Sequence, residues 1–382
     1  MKYVHRKLES TLNTYLNLFP VVGLSGPRQS GKSSMLKNLL GDKYKYITFD
    51  DYKMKELFLD DPEKFMRINN SKVIFDEAHK VPEIFNYVKI AVDDDRDNYG
   101  KFIVTGSAQF LLMKNISESL AGRIGFLTLL PFEFSELPKS AIEEAVYKGS
   151  YPEIIMRKFE GSEDWYSSYI ETYLEKDLRS IGEVGDLRDF KRLIQLLAAR
   201  TSQLLNMSEL AKEIGVTVAT VKRWISILET SYIVFLLPPF YENLGKRITK
   251  SPKIYFYDTG LVSFITGIED KKQFENGPLC GPIIENYIVS EIQKKIKHQN
   301  DKHQLYFIRT NHGVEVDLIV DKKSSRDFIE IKYSETFKPS MAKVIEGLMT
   351  KKNQTGYILY NGTEIQYSEN IKATNYKAYL NG

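Results

Sequence analysis

Cysteine is nearly missing from this chain: Cys280 stands alone among 382 residues. A single cysteine excludes an intramolecular disulfide and any zinc cluster of cysteines, so Cys280 is expected as a small buried side chain. Histidine is scarce too, and His5, His79, His298, His303 and His312 show no ligand spacing. No apolar run approaches the roughly 18 to 20 residues of a membrane-spanning helix, and the start MKYVHRKLES lacks the apolar core of a signal peptide. A cytoplasmic protein with no membrane partner is expected. Charge of one sign is also lacking. A net charge of +3 is too slight to mark the whole chain as nucleic-acid binding, so such a function needs a local basic patch. What is present is a soluble globular balance, 42% hydrophobic and 27% charged, over a length that predicts two or three packed cores.

From Phe19 the chain reads FPVVGLSGPRQSGKSSMLKNLL, an apolar run, a glycine loop, then helical periodicity through Met35, Leu36 and Leu39. Gly26, Gly31, Lys32 and Ser33 match G-x-x-x-x-G-K-[ST]. In that pattern glycines let backbone N–H groups wrap phosphates, the lysine reaches the β and γ oxygens, and the hydroxyl holds Mg²⁺. Pro27, Arg28, Gln29, Ser30 and Ser34 complete the nucleotide-binding stretch. The following helix N-terminus adds a favourable dipole.

A second apolar strand, KVIFDEAHK, ends in Asp76 and Glu77. One carboxylate there supports Mg²⁺ and the next orients and deprotonates water, which favours an ATPase over a kinase. A third strand, KFIVTGSAQF, ends in Thr105, Gly106 and Ser107, where Ser107 or Thr105 is expected to face the γ-phosphate at the carboxyl edge of a parallel sheet. Asp50 and Asp51, after YKYITF, either act at that edge or merely end a strand. Arg123, after the tight Leu-Ala-Gly step of SESLAGRIGF, is equally readable as a surface residue or as a guanidinium neutralising phosphoryl charge, in cis or on a neighbour.

The order GPRQSGKSS, VIFDEAH, VTGSAQF, SLAGR and LLPFEFSEL resembles the bacterial and archaeal AAA+-related ATP-binding proteins, akin to the signal-transducing STAND ATPases, that carry a C-terminal domain of unknown function. The resemblance covers nearly the whole chain. It implies that Lys32, Ser33, Asp76 and Glu77 bind ATP and Mg²⁺ and that Arg123 is an arginine finger; a finger acting in trans requires a homo-oligomer through this domain.

After Pro138 the strand pattern stops. Trp165, Tyr169, Ile170, Tyr173 and Leu174 recur at helical spacing, as do Phe190, Leu193, Ile194 and Leu197, which predicts a packed helical lid or linker. Residues 207–230, MSELAKEIGVTVATVKRWISILET, then give two short helices joined at Gly215. Ser208 and Thr217 are the expected caps, and Leu210, Ala211, Ile214, Val218, Val221, Ile225 and Leu228 are expected to turn inward. This helix-turn-helix pattern leaves Thr217, Thr220, Lys222 and Arg223 for solvent or a major groove. Two strands, YIVFLLPPF and KIYFYD, flank a turn that would carry Lys246, Arg247, Lys250 and Lys253 as a basic wing on DNA phosphates. The alternative is the same fold used for protein contact, with the wing charges merely solvated.

The last third opens with a helix, GPIIENYIVSEIQKKI, and continues through LYFIRT, VEVDLIVD and DFIEIKYSE. Glu330 and Lys332, two apart, share one face of a strand, and Asp317, thirteen positions before Glu330, suits the other arm of a hairpin. With Glu285 from the helix, this D…E-x-K set resembles the PD-(D/E)xK fold of restriction endonucleases and Holliday-junction resolvases, whose carboxylates hold Mg²⁺ for phosphodiester cleavage. Glu315 shares the face of Asp317, either as a further ligand or as a plain strand residue; Arg309 and Lys338 are equally undecided.

The expected fold class is α/β: a P-loop, AAA+-like parallel-sheet ATPase domain over 1–140, a helical lid or linker over 141–200, a winged helix-turn-helix over 201–257, and a restriction-endonuclease-like α/β domain over 258–382. The expected function is an ATP-driven switch on DNA with possible metal-dependent nuclease or resolvase activity. The competing expectation is a non-cleaving signalling ATPase whose winged helix and C-terminal domain bind protein partners.

Overall fold

The computed structural model describes residues 3–106, 112–113, 116, 118–174, 187–240, 251–309, 313–351 and 353–382. They fall into two compact units, one made of residues 1–132 with 230–232 and 297–300, the other of the remainder.

The first unit is built on a parallel sheet of order β2-β3-β4-β1-β5, from Lys45–Thr48, Val73–Asp76, Phe102–Thr105, Val21–Ser25 and Ile124–Thr128. A parallel sheet with helices on both sides buries both faces, so its strands read as continuous apolar runs. Successive side chains still alternate. Val73, Phe75, Phe102 and Val104 join Phe49, Phe58, Val88 and Val92 in one core. Ile74 and Ile103 point the other way, into a second core with Val22, Leu24, Leu8, Leu12, Met35 and Leu36. Helices α1 (Leu8–Leu16) and α2 (Lys32–Leu40) contribute to the second core, and α3 (Tyr52–Asp60), α4 (Pro62–Ile68) and α5 (Ile84–Asp93) to the first. Asp51 caps α3 by accepting from the Lys53 backbone N–H at 2.9 Å, which gives it a local structural role.

The second unit opens with α6 (Ile142–Lys148), α7 (Pro152–Met156) and α8 (Ser162–Ser168), followed by α9 (Leu187–Ala199), whose Phe190, Leu193, Ile194 and Leu197 are buried. Helices α10 (Met207–Ile214) and α11 (Val218–Thr230) then meet at Gly215, which sits at φ 88° and ends α10 by donating to Ala211 O at 2.9 Å. Only glycine takes that left-handed position without strain. Two expectations are corrected here. The cap of α10 is Asn206, whose Oδ1 accepts from the Glu209 N–H at 3.1 Å; Ser208 already lies inside the helix. Val218 is 45% exposed because it starts α11 on the solvent side, and Trp224 and Ile227 complete the buried face. An antiparallel pair follows, β6 (Val234–Leu237) with β7 (Lys253–Phe256), and Leu204 makes a single bridge to Lys253 on the other side of β7.

Helices α12 (Thr259–Thr266), α13 (Lys271–Asn276) and the long α14 (Cys280–Gln299) lead into a six-stranded mixed sheet of order β12-β13-β11-β10-β9-β8. Strands β8 (Gln304–Arg309), β9 (Glu315–Asp321) and β10 (Arg326–Ile331) form an antiparallel meander. After α15 (Lys343–Leu348), β11 (Gln354–Tyr360) pairs parallel to β10, and β13 (Ile371–Asn375) parallel to β11; β12 (Ile365–Ser368) is the antiparallel edge. Cys280 is buried, as composition suggests.

Candidate functional site

The phosphate loop leaves the carboxyl end of β1 and enters α2. Gly26 has φ 144°, and a Cβ there would stand 2.0 Å from Leu129 O, a backbone atom that cannot step aside. Gln29 and Gly31 are also left-handed, with φ of 60° and 95°. The Lys32 ammonium is folded into the loop, donating to Gly26 O and Pro27 O at 2.9 Å each. Pro27 and Ser30 are buried, Arg28, Gln29 and Ser33 half-buried, and Ser34 exposed.

Asp76 ends β3 beside this loop and gathers three hydroxyls. Thr105 Oγ1 donates to its Oδ1 at 2.6 Å, while Tyr46 OH and Ser33 Oγ donate to Oδ2, the latter at 3.4 Å. Burial and the Asp76 charge push the Tyr46 phenol well above its ordinary range, so it remains a donor. Ser33 and Asp76 offer adjacent hard oxygens, a donor set that fits Mg²⁺. Glu77 follows at φ 52°, a left-handed position that turns it out of the strand line, and its Oε2 lies 3.2 Å from His79 Nδ1. Thr105 is fully buried on Asp76, whereas Ser107 lies outside the described residues.

Arg123 stands elsewhere. The parallel register pairs Val21 with Ile124 and Ser25 with Thr128, so Arg123 precedes β5 at the amino edge of the sheet. The phosphate loop leaves the carboxyl edge, about 16 Å away along the strands. There Arg123 makes a two-pronged ion pair with Asp93, Nε to Oδ1 at 2.6 Å and a terminal nitrogen to Oδ2 at 2.9 Å.

On α11, Lys222 and Arg223 are exposed and Thr220 half-buried. Thr217 precedes the helix and its Oγ1 accepts from the Thr220 N–H at 3.1 Å, so it caps α11 as expected. Lys246, Arg247 and Lys250 lie outside the described residues. The assignment of Lys253 to a basic wing is overturned: its side chain is inside the second unit, with the residue only 2% exposed. Three carboxylates hold it there. Lys253 Nζ lies 2.7 Å from Glu315 Oε1, 3.0 Å from Glu285 Oε1 and 4.0 Å from Asp317 Oδ1. Burial works against the charge, but Glu285, Asp317 and Glu315 outweigh it and hold the ammonium above the ordinary lysine range.

Sheet register explains how these acids meet. Leu318 pairs with Ile329, so the next step of the same ladder sets Asp317 opposite Glu330. Residues two apart share a face, which brings in Glu315 from β9 and Lys332 after β10. Helix α14 supplies Glu285, which also accepts from Tyr255 OH at 2.7 Å. Asp317 Oδ2 accepts from the Ile331 N–H at 2.8 Å, and Lys332 Nζ pairs with Glu330 Oε1. Burial, then the Asp317 charge, push Glu285 and Glu330 up to about 7; burial also raises Asp317. The structure therefore brings Glu285, Asp317, Glu330 and Lys332 together, with Lys253 among them. Arg309 lies at the margin, 3.7 Å from Glu315.

Hard carboxylate oxygens suit Mg²⁺ in kind, but their disposition does not fit it. Among the described residues no group of three His, Cys, Asp or Glu could hold a metal ion, and the point shared by Glu285 and Glu315 is taken by the Lys253 ammonium.

Residues 18–138 match the family model of an AAA domain, 139–272 a domain of unknown function (DUF8612), and 280–379 a second one (DUF4143). The uncharacterized protein Rv2008c of Mycobacterium tuberculosis is 32% identical over 340 residues, which cover 88% of this chain and 75% of that relative. The chain belongs to this family of AAA-domain proteins. The uncharacterized protein MJ1544 of Methanocaldococcus jannaschii is similar at 25% identity over 357 residues, covering 84% of this chain and 77% of the relative. Among solved structures, the Walker-type ATPase paby2304 of Pyrococcus abyssi is 17% identical, with a TM-score of 0.46 over 68% of this chain and 95% of its own. The front domain of this family member is an AAA-type P-loop ATPase domain, and among its described residues no helix is long and apolar enough to cross a membrane.

Several residues that shape the loop carry no motif. Arg6, 5% exposed, donates to Ser30 O at 2.8 Å and Leu130 O at 2.7 Å. The Leu130 N–H donates to His298 Nε2 at 3.1 Å, and Tyr232 OH lies 3.2 Å from Thr128 Oγ1 and 3.4 Å from Ser25 Oγ. A lone basic or aromatic residue separated from the motif in sequence gives no signal for such bracing.

Proposed function

We propose that this protein is a Mg²⁺-dependent ATPase that works as an ATP-driven switch on DNA. Bound Mg²⁺ would supply charge neutralisation at the β- and γ-phosphates. The chain's own residues do the rest. Backbone N–H groups of 28–34 cradle the phosphates, Lys32 exchanges its loop carbonyls for phosphate oxygens, and Ser33 and Asp76 hold the cation. Thr105 and Tyr46 fix the Asp76 carboxylate in orientation, Glu77 activates water, and Ser107 is the proposed γ-phosphate sensor. Arg123, at the far edge of its own sheet, is proposed as a finger for a neighbouring copy in a homo-oligomer.

The DNA assignment rests on one observation above the others: α10 and α11, set by Asn206 and Gly215, leave Lys222 and Arg223 exposed on the second helix. We read α9 to α11 with β6 and β7 as a winged helix. In it Thr217, Thr220, Lys222 and Arg223 face the groove, and Lys246, Arg247 and Lys250 contact phosphates. The α14, β8–β10, α15, β11 order supports a restriction-endonuclease-like fold for 258–382, with 1–140, 141–200 and 201–257 as the preceding domains. The buried Lys253 favours the form of this function that binds DNA without cutting it; a signalling ATPase with protein partners is the second function.

Fluorescence anisotropy of a labelled duplex tests the proposal. Binding should weaken with salt, and Lys222→Ala/Arg223→Ala should weaken it further. Salt-independent or absent binding, with ATP hydrolysis intact, would move the protein to the signalling class.

A further inference from the structure

We infer that the carboxylate cluster of the second unit is a metal-free site whose cation is the Lys253 ammonium, so that this domain neither holds a divalent ion nor cleaves phosphodiesters. The inference rests on the cluster's geometry alone and stands whether or not the chain binds DNA.

A nuclease site of this composition needs oxygens from the helix, the first hairpin strand and the second to converge on one cation, at about 2.0–2.1 Å each for Mg²⁺. Here each carboxylate is engaged through one of its oxygens. Glu285 Oε1 receives both Lys253 Nζ and Tyr255 OH, at 3.0 and 2.7 Å. Glu315 Oε1 receives Lys253 Nζ at 2.7 Å, Asp317 Oδ2 receives the Ile331 N–H, and Glu330 Oε1 receives Lys332. Glu330 Oε2 is a buried oxygen with no hydrogen-bond partner, and one such oxygen falls far short of a Mg²⁺ shell. A divalent ion drawn to Glu285 Oε1 and Glu315 Oε1 would compete with the ammonium for the same oxygens, with like charges in a poorly solvated space.

Lys253 is also held at its backbone. It pairs with Leu237 of β6 on one side and bridges to Leu204 on the other, and its Nζ lies 5.6 Å from the centre of the Phe307 ring. The ammonium is therefore a tethered ion, placed by the strand and enclosed by the acids. A surface role for this residue would waste the strand position that delivers it, and its 2% exposure leaves no route to a DNA phosphate.

Mn²⁺ electron paramagnetic resonance of the nucleotide-free full chain tests this directly. Wild type should bind no more Mn²⁺ than Asp317→Asn, because the cluster contributes no ion site in either. Lys253→Met should gain one Mn²⁺ per chain, and that gain should vanish in Lys253→Met/Asp317→Asn. Should Lys253→Met fail to fold, as judged by circular dichroism, the wild-type comparison still decides. Mn²⁺ bound by wild type and lost in Asp317→Asn would overturn the inference, as would a folded Lys253→Met that gains no ion, or Asp317-dependent DNA cleavage by wild type.

Discussion

Asp76 is where the nucleotide site is most exposed to single substitutions, because three hydroxyls converge on one carboxylate. Thr105→Val removes the 2.6 Å donor while keeping shape and burial. ATP hydrolysis should fall about tenfold, the equivalent of roughly 1.4 kcal/mol for one hydrogen bond that orients a charged group. Steady-state phosphate release checks this; an unchanged rate would mean that Asp76 is positioned by its strand alone. Arg6 acts one layer further out. Arg6→Met strands Ser30 O and Leu130 O without their donor, and we expect a loss of about 3 kcal/mol in denaturant unfolding. The loop motif itself was legible because all its parts are contiguous. Arg6, Tyr46, Tyr232 and His298 were not, since each gains its role only from where the fold delivers it.

Elements show the same division. Period-two alternation made Glu330 and Lys332 readable as one face, and the thirteen-residue spacing placed Asp317 on the opposing arm; the register of β9 and β10 fulfils both. A lysine after the polar stretch TKSP reads as a surface wing, whereas the strand of Lys253 pairs on both sides and turns the side chain inward. Ser208 is the expected cap in NMSELAKEIG, but the observed bond from the Glu209 N–H to Asn206 Oδ1 starts the helix two residues earlier. Within α11, Lys222→Ala/Arg223→Ala should lower the slope of log K against log salt by about 2, if each side chain neutralises one phosphate. An anisotropy series at several salt concentrations measures it, and an unchanged slope would remove this helix from the DNA interface.

For the molecule as a whole, two consequences follow from position. Because Arg123 lies at the amino edge of the sheet, Lys32→Ala and Arg123→Ala chains should each be inactive alone and regain hydrolysis when mixed, through interfaces that retain one intact Lys32 and one intact Arg123. Absence of complementation, with Arg123→Ala fully active, would leave Arg123 as the surface partner of Asp93. The second consequence is a pH dependence. Burial pushes Glu291 up to about 7 from its ordinary 4.5, against the opposing pull of Lys294. A carboxyl with a raised folded pKa binds more protons in the folded state. Its stabilising contribution is full below about 4.5 and is lost as pH rises through about 7. Melting temperature should therefore fall between pH 5 and pH 8 by less in Glu291→Gln than in wild type, with pH values chosen as approximate brackets of that window.

The most direct measurement is ATP turnover by the full chain with and without duplex DNA, beside Lys32→Ala. We expect Mg²⁺-dependent hydrolysis that DNA alters and that Lys32→Ala reduces by at least about 100-fold. Hydrolysis that survives in Lys32→Ala, or a rate that no DNA changes at any salt concentration, would contradict an ATP-driven switch on DNA.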